Sequence, residues 1–266
     1  MHDYSIEDLK KALNFLKIKK NDNIYCHSNI GYFGIMKETR DKDKICKKIY
    51  NCIKNVIGKK GTLIVPTYSY SFSKKRNGII YRKKEDFDLK KTKSTMGVFS
   101  EWIRKNPNSL RSIDPFFSSA VIGHKKKFFT ENLSNNSFDE NSLFSKLLKL
   151  NVKFLNFNFN GYTFIHFIER KLNVKYRFNK KFYGEIVLNK KKKINWYIFV
   201  RYLYDKKFVD NHMPLINHMK DYNLIRTYNV GRGEISTTNA EKIYKTIRSK
   251  IKKNGLYLTG YNKGVK

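Results

Sequence analysis

The chain has 266 residues, 40% hydrophobic and 15% aromatic, which is enough bulky apolar material for one large globular domain and excludes disordered and collagen-like classes. Lys and Arg number 56 against 22 Asp and Glu, a formal charge of +34 that favours anionic partners and makes a polycationic ligand approach uphill. A compositional bias toward Lys, Asn, Ile, Tyr and Phe, beside only 4 Pro, also accounts for individual lysine runs without a partner.

Ser5 and Asp8 have the spacing of a capping box, and Ile6, Leu9, Leu13 and Leu16 recur at helical period, so the chain opens with an amphipathic helix. Ile24 to His27 reads as a short strand running into the loop Ser28-Asn29-Ile30-Gly31-Tyr32-Phe33-Gly34. Ile45, Ile49, Ile53 and Val56 define a second helix ending near Gly58, and Thr62 to Val65 is an apolar run suited to a strand buried on both faces. Further helices are expected over Met96 to Arg104, Ser142 to Leu150 and Thr163 to Leu172, with strands at Ala120 to Ile122 and Val152 to Phe157. This is α/β alternation. Glu185 to Leu188 and the alternating Ile194, Trp196, Ile198, Val200 and Tyr202 flank Asn189 to Lys193 as a hairpin with a basic tip. A last helix starts at Thr238-Asn239-Ala240-Glu241 and stops near Gly255. The simplest architecture is a single mixed α/β domain over 1–266 with an antiparallel β-rich insertion over 175–235.

Basic residues interrupt every apolar run, so no membrane-spanning helix is expected, and the acidic opening segment is unlike a signal peptide, which points to the cytosol. Three cysteines (Cys26, Cys46, Cys52) without a C-x-x-C pair argue against a disulfide framework or a zinc knuckle and read as reduced and buried.

The phosphate-loop and dinucleotide motifs are absent. Among six histidines, His166 alone sits in a suggestive arrangement: on a helix it shares a face with Glu169, with Thr163 as a plausible cap, and a carboxylate there can orient an imidazole as a general base. The same spacing also suits a surface pair, and two ligands do not make a metal site, so none is assigned. Arg111-Ser112 and Ser118-Ser119 flank Asp114-Pro115 in a hydroxyl-rich loop ahead of a strand, groups suited to phosphates or to an ordinary Asp-Pro turn.

Taken in order, His27-Ser28 to Gly34, Gly61 to Thr67, Met96-Gly97 to Arg104, Arg111-Ser112 to Gly123, Ser142 to Phe144 and Thr163 to Glu169 resemble the aminoglycoside 3-N-acetyltransferase family over about residues 5 to 180. The resemblance implies that family's α/β fold, acetyl-CoA as cosubstrate without a metal, and direct transfer to an amine. His166 would be the base, with Glu169 and Thr163 beside it. Ser28, Gly31, Gly34 and Thr67 would follow the pantetheine arm, and Arg111, Ser112, Ser118 and Ser119 the rest of the coenzyme. Asp114 stands where the family usually has His, and Asn156-Phe157-Asn158 replaces a Leu-Gly step. Val174 to Arg177 and the following hairpin are similar to sugar-modifying members, which makes Tyr176 and Arg177 candidate contacts for a nucleotide-linked or glycan-precursor amino sugar. An aminoglycoside antibiotic is the alternative acceptor, and a basic nucleic-acid-binding protein without catalysis is the reading from another class. No specific nucleic acid is expected, and the oligomeric state is left open.

Overall fold

The structure is a computed structural model that describes residues 1–76, 79–81 and 86–261. In chain order the elements are α1 (Ile6–Phe15), β1 (Asn23–Ser28), α2 (Lys42–Ile57), β2 (Thr62–Pro66), β3 (Lys74–Arg76), β4 (Ile79–Tyr81), β5 (Phe87–Asp88), α3 (Val98–Lys105), β6 (Leu110–Arg111), β7 (Ser119–Gly123), α4 (Lys126–Thr130), α5 (Leu143–Lys149), β8 (Lys153–Phe157), α6 (Phe164–Lys171), β9 (Arg177–Val187), β10 (Lys191–Arg201), α7 (Met213–Asp221), β11 (Arg226–Val230), β12 (Gly233–Asn239) and α8 (Ala240–Lys253). The expected α/β alternation is present.

Seven strands form the main sheet in the order β11-β12-β8-β1-β2-β7-β6. The central trio β8, β1 and β2 is parallel, with Tyr25 opposite both Phe154 and Ile64. The flanking pairs are antiparallel. Because helices cover both faces, the central strands carry apolar residues on both. Ile24 and Cys26 join Leu13, Ile49, Ile53 and Phe99 on the α1–α2–α3 face. Tyr25 joins Phe144, Phe164, Ile168 and Ile247 on the α5–α6–α8 face.

Local sequence rules hold at several ends. Ser5 and Asp8 form the capping box of α1. Gly58 ends α2 at φ +68. At α8 the cap falls one residue late: Asn239 accepts from the Lys242 N–H, while the Thr238 hydroxyl donates to the Leu224 carbonyl. The cause is strand β12, which keeps residue 238 paired with Phe154.

Within the span 175–235 the strands serve two sheets. Strands β9 and β10 pair over 11 residues, from Arg177–Arg201 to Val187–Lys191, and with β5 make a separate three-stranded sheet. After α7, β11 and β12 extend the main sheet instead, since the fully buried Ile235 pairs with Phe157. The hairpin turn is also shorter than expected, because Lys191, Lys192 and Lys193 pair with Val187, Ile186 and Glu185. All three cysteines are buried and free. Among the described residues no helix is long and apolar enough to cross a membrane.

Candidate active site

Strand β8 delivers the chain to α6, whose Phe164, Ile165, Phe167 and Ile168 are buried in the core. With four of its eight residues packed in this way, the short helix fixes where His166 and Glu169 point. The His166 side chain stays 16% exposed while Glu169 is fully buried. His166 Nδ1 lies 2.7 Å from Glu169 Oε2, so the expected pair is formed.

Glu169 is held from two further directions. The Tyr176 hydroxyl donates to Oε1 at 2.7 Å. Arg177 Nε lies 2.8 Å from Oε2, an ionic contact rather than an aligned hydrogen bond. The far side of the same guanidinium pairs with Asp210. Burial alone would raise the Glu169 carboxyl; the Arg177 charge and the His166 and Tyr176 contacts overcome that and hold it at about 2. An ionised carboxylate only accepts, so His166 Nδ1 carries a proton, and in the neutral imidazole the lone pair is then on Nε2. That is the tautomer a general base requires.

Sequence spacing did not reveal two neighbours. Asp210 follows a turn of 3-10 helix, and His212 lies two residues on with its ring 5.9 Å from that of His166. Burial and the facing His166 push His212 down to about 4. No local periodicity ties this segment to α6; the contact comes from tertiary folding, and the only signal was the closeness of two polar titratable residues in sequence. His166, Glu169 and Asp210 offer ligand atoms within 4.8 Å of one another. Arg177 already lies against both carboxylates, so the cluster is a charge network with its cation built in.

Thr163 precedes α6 but makes no capping bond, since its backbone is already helical at φ −57. Its hydroxyl instead meets Tyr68, which bonds the Tyr25 hydroxyl at 2.8 Å. Tyr176 and Arg177, expected to hold an anionic acceptor, are both buried and engaged with Glu169. They brace the His166–Glu169 pair from behind, with no free guanidinium edge for a phosphate.

The expected coenzyme residues separate into two groups. Ser28 and Gly31 line a groove with Asn29, Ile30, Tyr32, Gly97 and Val98. Gly97, the N-cap of α3 at φ +92, was not singled out by the sequence as a site residue. Gly34, at φ +86, faces away from the groove: a Cβ there would strike the Asp3 carboxylate. Asp3 also accepts from the Ile35 N–H at 2.7 Å and pairs with Arg232 at 2.9 Å, while the Arg232 N–H reaches the Phe33 carbonyl at 3.2 Å. The loop is thus clamped from behind.

Thr67, Arg111, Ser112, Ser118 and Ser119 do come together, but all five are buried. Arg111 donates to the Thr67 and Ser118 hydroxyls at 3.2 and 3.1 Å and to the Thr67 and Thr92 carbonyls at 2.8 and 2.6 Å. The Ser112 hydroxyl accepts from the Ser119 N–H at 2.8 Å. Arg111 is therefore an internal tie between loops, and the expected contact with a coenzyme phosphate is not offered by this geometry.

No curated protein matches the chain in sequence. Among solved structures, AAC-IIIb in a binary complex with CoASH is 17% identical, with a TM-score of 0.76 over 94% of this chain and 96% of that one. YokD from Bacillus subtilis is 14% identical, with a TM-score of 0.77 over 96% and 95%. AAC-VIa bound to sisomicin is 15% identical, with a TM-score of 0.77 over 94% and 98%. These likenesses show the fold. The sequence model of the aminoglycoside 3-N-acetyltransferase family matches residues 26–252, nearly the whole chain, and with the helix-borne His166–Glu169 pair inside that span the protein belongs to the aminoglycoside 3-N-acetyltransferase family.

Proposed function

We propose that the chain transfers the acetyl group of acetyl-CoA to the amine of an amino sugar carried on an anion, such as a nucleotide-linked sugar or glycan precursor, with His166 as general base. The observation that carries the reading is His166 itself: Nδ1 is tied to an ionised, buried Glu169, and the imidazole is part-exposed. The CoASH bound to AAC-IIIb supports the donor, and the groove along Ser28, Gly31 and Gly97 offers the pantetheine arm a path.

In the step so assigned, the neutral amine attacks the thioester carbonyl, a C–N bond forms, and His166 Nε2 takes the amine proton. The C–S bond then breaks and the CoA thiolate leaves, to recover that proton as free thiol. Backbone N–H groups of the Ser28–Gly34 loop are the candidate donors to the developing oxyanion. His166 acts without a covalent intermediate, since all three cysteines are buried away from reach.

Charge supports the acceptor class. A polycation is met by several free carboxylates, yet Glu169 and Asp210 are both paired with Arg177, and Asp114 is buried, accepting from the Phe116 and Phe117 N–H groups. Against a background of +34, an acceptor with one amine and a net negative charge is steered inward. The sisomicin bound to AAC-VIa favours the second reading, an aminoglycoside acceptor. Release of CoA thiol across a panel of nucleotide-linked amino sugars and aminoglycosides decides between them. Turnover should be highest with a sugar conjugate and should fall as salt rises; efficient acetylation of kanamycin-like compounds with none of the conjugates would overturn the anionic acceptor while leaving the enzyme class intact.

A further inference from the structure

Just past α1 the chain turns through Lys17, a left-handed residue at φ +59, and this turn is fastened to the start of β8. Lys153 Nζ donates to the Lys17 carbonyl at 2.8 Å and to Asp22 Oδ2 at 2.6 Å, and the same carboxylate accepts the Lys19 N–H at 2.6 Å. The start of β11, the end of β12 and the start of α8 lie against the turn, and between them is a recess of about 250 Å³. Of the ten described residues lining it, five are basic (Lys17, Lys19, Lys153, Arg226 and Lys242) and none is acidic. The whole chain has 56 basic residues in 266, so the recess is more than twice as rich in them. Asp22 is spent on Lys153 and the turn, whereas the side chains of Lys17, Lys19, Arg226 and Lys242 have no ion pair or hydrogen bond among the described residues. The recess is remote from the coenzyme groove: Lys153 is the first residue of β8, and Phe157, opposite Ser28, is the last, roughly 13 Å along the strand.

We propose that this recess is a second anion site, separate from the coenzyme groove, which binds a chain of two or three phosphoryl groups, as in inorganic triphosphate or a nucleoside polyphosphate. A recess of this volume is narrower than the screening length of about 8 Å at physiological salt, so its unpaired cations are felt together. A single phosphate monoester carries only about −1.5 to −2, half of what four cations call for, and linked phosphoryl groups supply the rest. Arg226 offers a fork that can grip two oxygens of one phosphoryl group, and the three lysines are point charges that can follow the others. The neutral groups fit the same assignment. Thr237 and Thr238 have spent their hydroxyl protons on the Phe154 and Leu224 carbonyls, and the first N–H groups of α8 are taken by Val152, Asn151 and Asn239, so the anion is held by the long cationic side chains. Asn239 accepts through Oδ1, which leaves its NH₂ as a further donor at the wall. The site is independent of the acetyl-CoA reading above.

The test titrates the full-length protein calorimetrically with inorganic triphosphate and with ATP, without magnesium, at about 0.15 M salt. The wild type should bind one triphosphate per chain. Lys17→Ala/Arg226→Ala should weaken that binding on the order of tenfold or more, from the loss of two charge-assisted contacts. The control Lys190→Ala/Lys192→Ala removes the same charge from the exposed hairpin and should stay within about twofold of wild type. Equal affinities for triphosphate and ATP would assign the site to a free phosphate chain, and tighter ATP to a nucleotide; either supports the proposal. Should the double variant not fold, 15N amide spectra of the wild type decide: triphosphate should move the signals of Thr237 to Lys242 and leave those of Ser28 to Gly34 in place. No binding, many weak equivalents per chain, equal weakening in the control, shifts confined to the Ser28–Gly34 loop, or displacement of triphosphate by CoASH would each overturn the proposal. None of these results bears on whether acetyl-CoA is the donor, which thiol release reads separately.

Discussion

Arg177 lies with its Nε 2.8 Å from Glu169 Oε2, both side chains almost wholly buried, and the same guanidinium reaches Asp210 on a separate segment. The pairing keeps Glu169 charged inside the core, and through Glu169 it fixes the proton on His166 Nδ1. Arg177→Ala should therefore cost both stability and rate. Leaving a buried carboxylate without its cation is worth about 3–5 kcal/mol, read as a drop in the chemical-denaturation midpoint. Arg177→Lys should recover part of the charge but not the bridge to both carboxylates. A variant with wild-type midpoint and turnover would show that the bridge is idle.

His166→Ala should leave the fold and coenzyme affinity nearly unchanged and lower turnover on the order of 10²- to 10⁴-fold. The ring is on the rim of the site and its loss opens no core cavity. Tyr176→Phe should be much milder, about 1 kcal/mol in stability with a small fall in kcat, because Glu169 keeps Arg177 and His166. Comparing kcat in the folded variants checks the order of these effects.

For Arg111→Ala the expected result is loss of stability on the order of 3 kcal/mol, from carbonyls and hydroxyls left without a donor in the interior. The apparent constant for acetyl-CoA should be unchanged in the fraction that remains folded. A raised constant in a protein of wild-type stability would return Arg111 to the coenzyme.

Acidification should destabilise the protein between pH 6.5 and about 4. His27 and His212 are held neutral by burial, at about 4 each, whereas the unfolded chain takes up protons on both near the ordinary value of 6.5. Below that value the unfolded state gains protons that the native state does not, and stability falls with pH by up to roughly 3 kcal/mol per histidine. Asp114 opposes this: burial pushes its carboxyl up to about 6, so between about 4 and 6 the native state binds the extra proton. Two histidines outweigh one carboxyl. Thermal midpoints measured across this range should decline on acidification, and the decline should be shallower in His27→Leu.

Much of this was legible in sequence because it is local. Ser5 and Asp8 lie three residues apart and cap α1 as their spacing dictates, and His166 and Glu169 meet for the same reason. The central strands were readable from unbroken apolar runs, a direct result of burial on both faces. What failed was the assignment of a partner to each polar side chain. Arg111 beside serines is equally apt for a phosphate or for carbonyls across a loop, and only the closed tertiary structure shows the carbonyls at 2.6 and 2.8 Å. Arg177 was read as a free anion grip because Glu169 is eight positions away, beyond the i+3 and i+4 range at which a helix advertises contacts. Asp210 and His212 reach the site by a long excursion through β9 and β10, and no periodicity encodes that return.

The clamp of Asp3 behind the Ser28–Gly34 loop makes one wall of the groove depend on a side chain that never lines it. The Asp3 carboxylate holds the Ile35 N–H and Arg232, and Gly34 has the bare backbone that lets it approach. Asp3→Ala would free both donors at once and loosen that wall from behind. Such a variant should show weakened acetyl-CoA affinity with turnover at saturation unchanged, so a defect in binding can arise from a residue that no ligand touches.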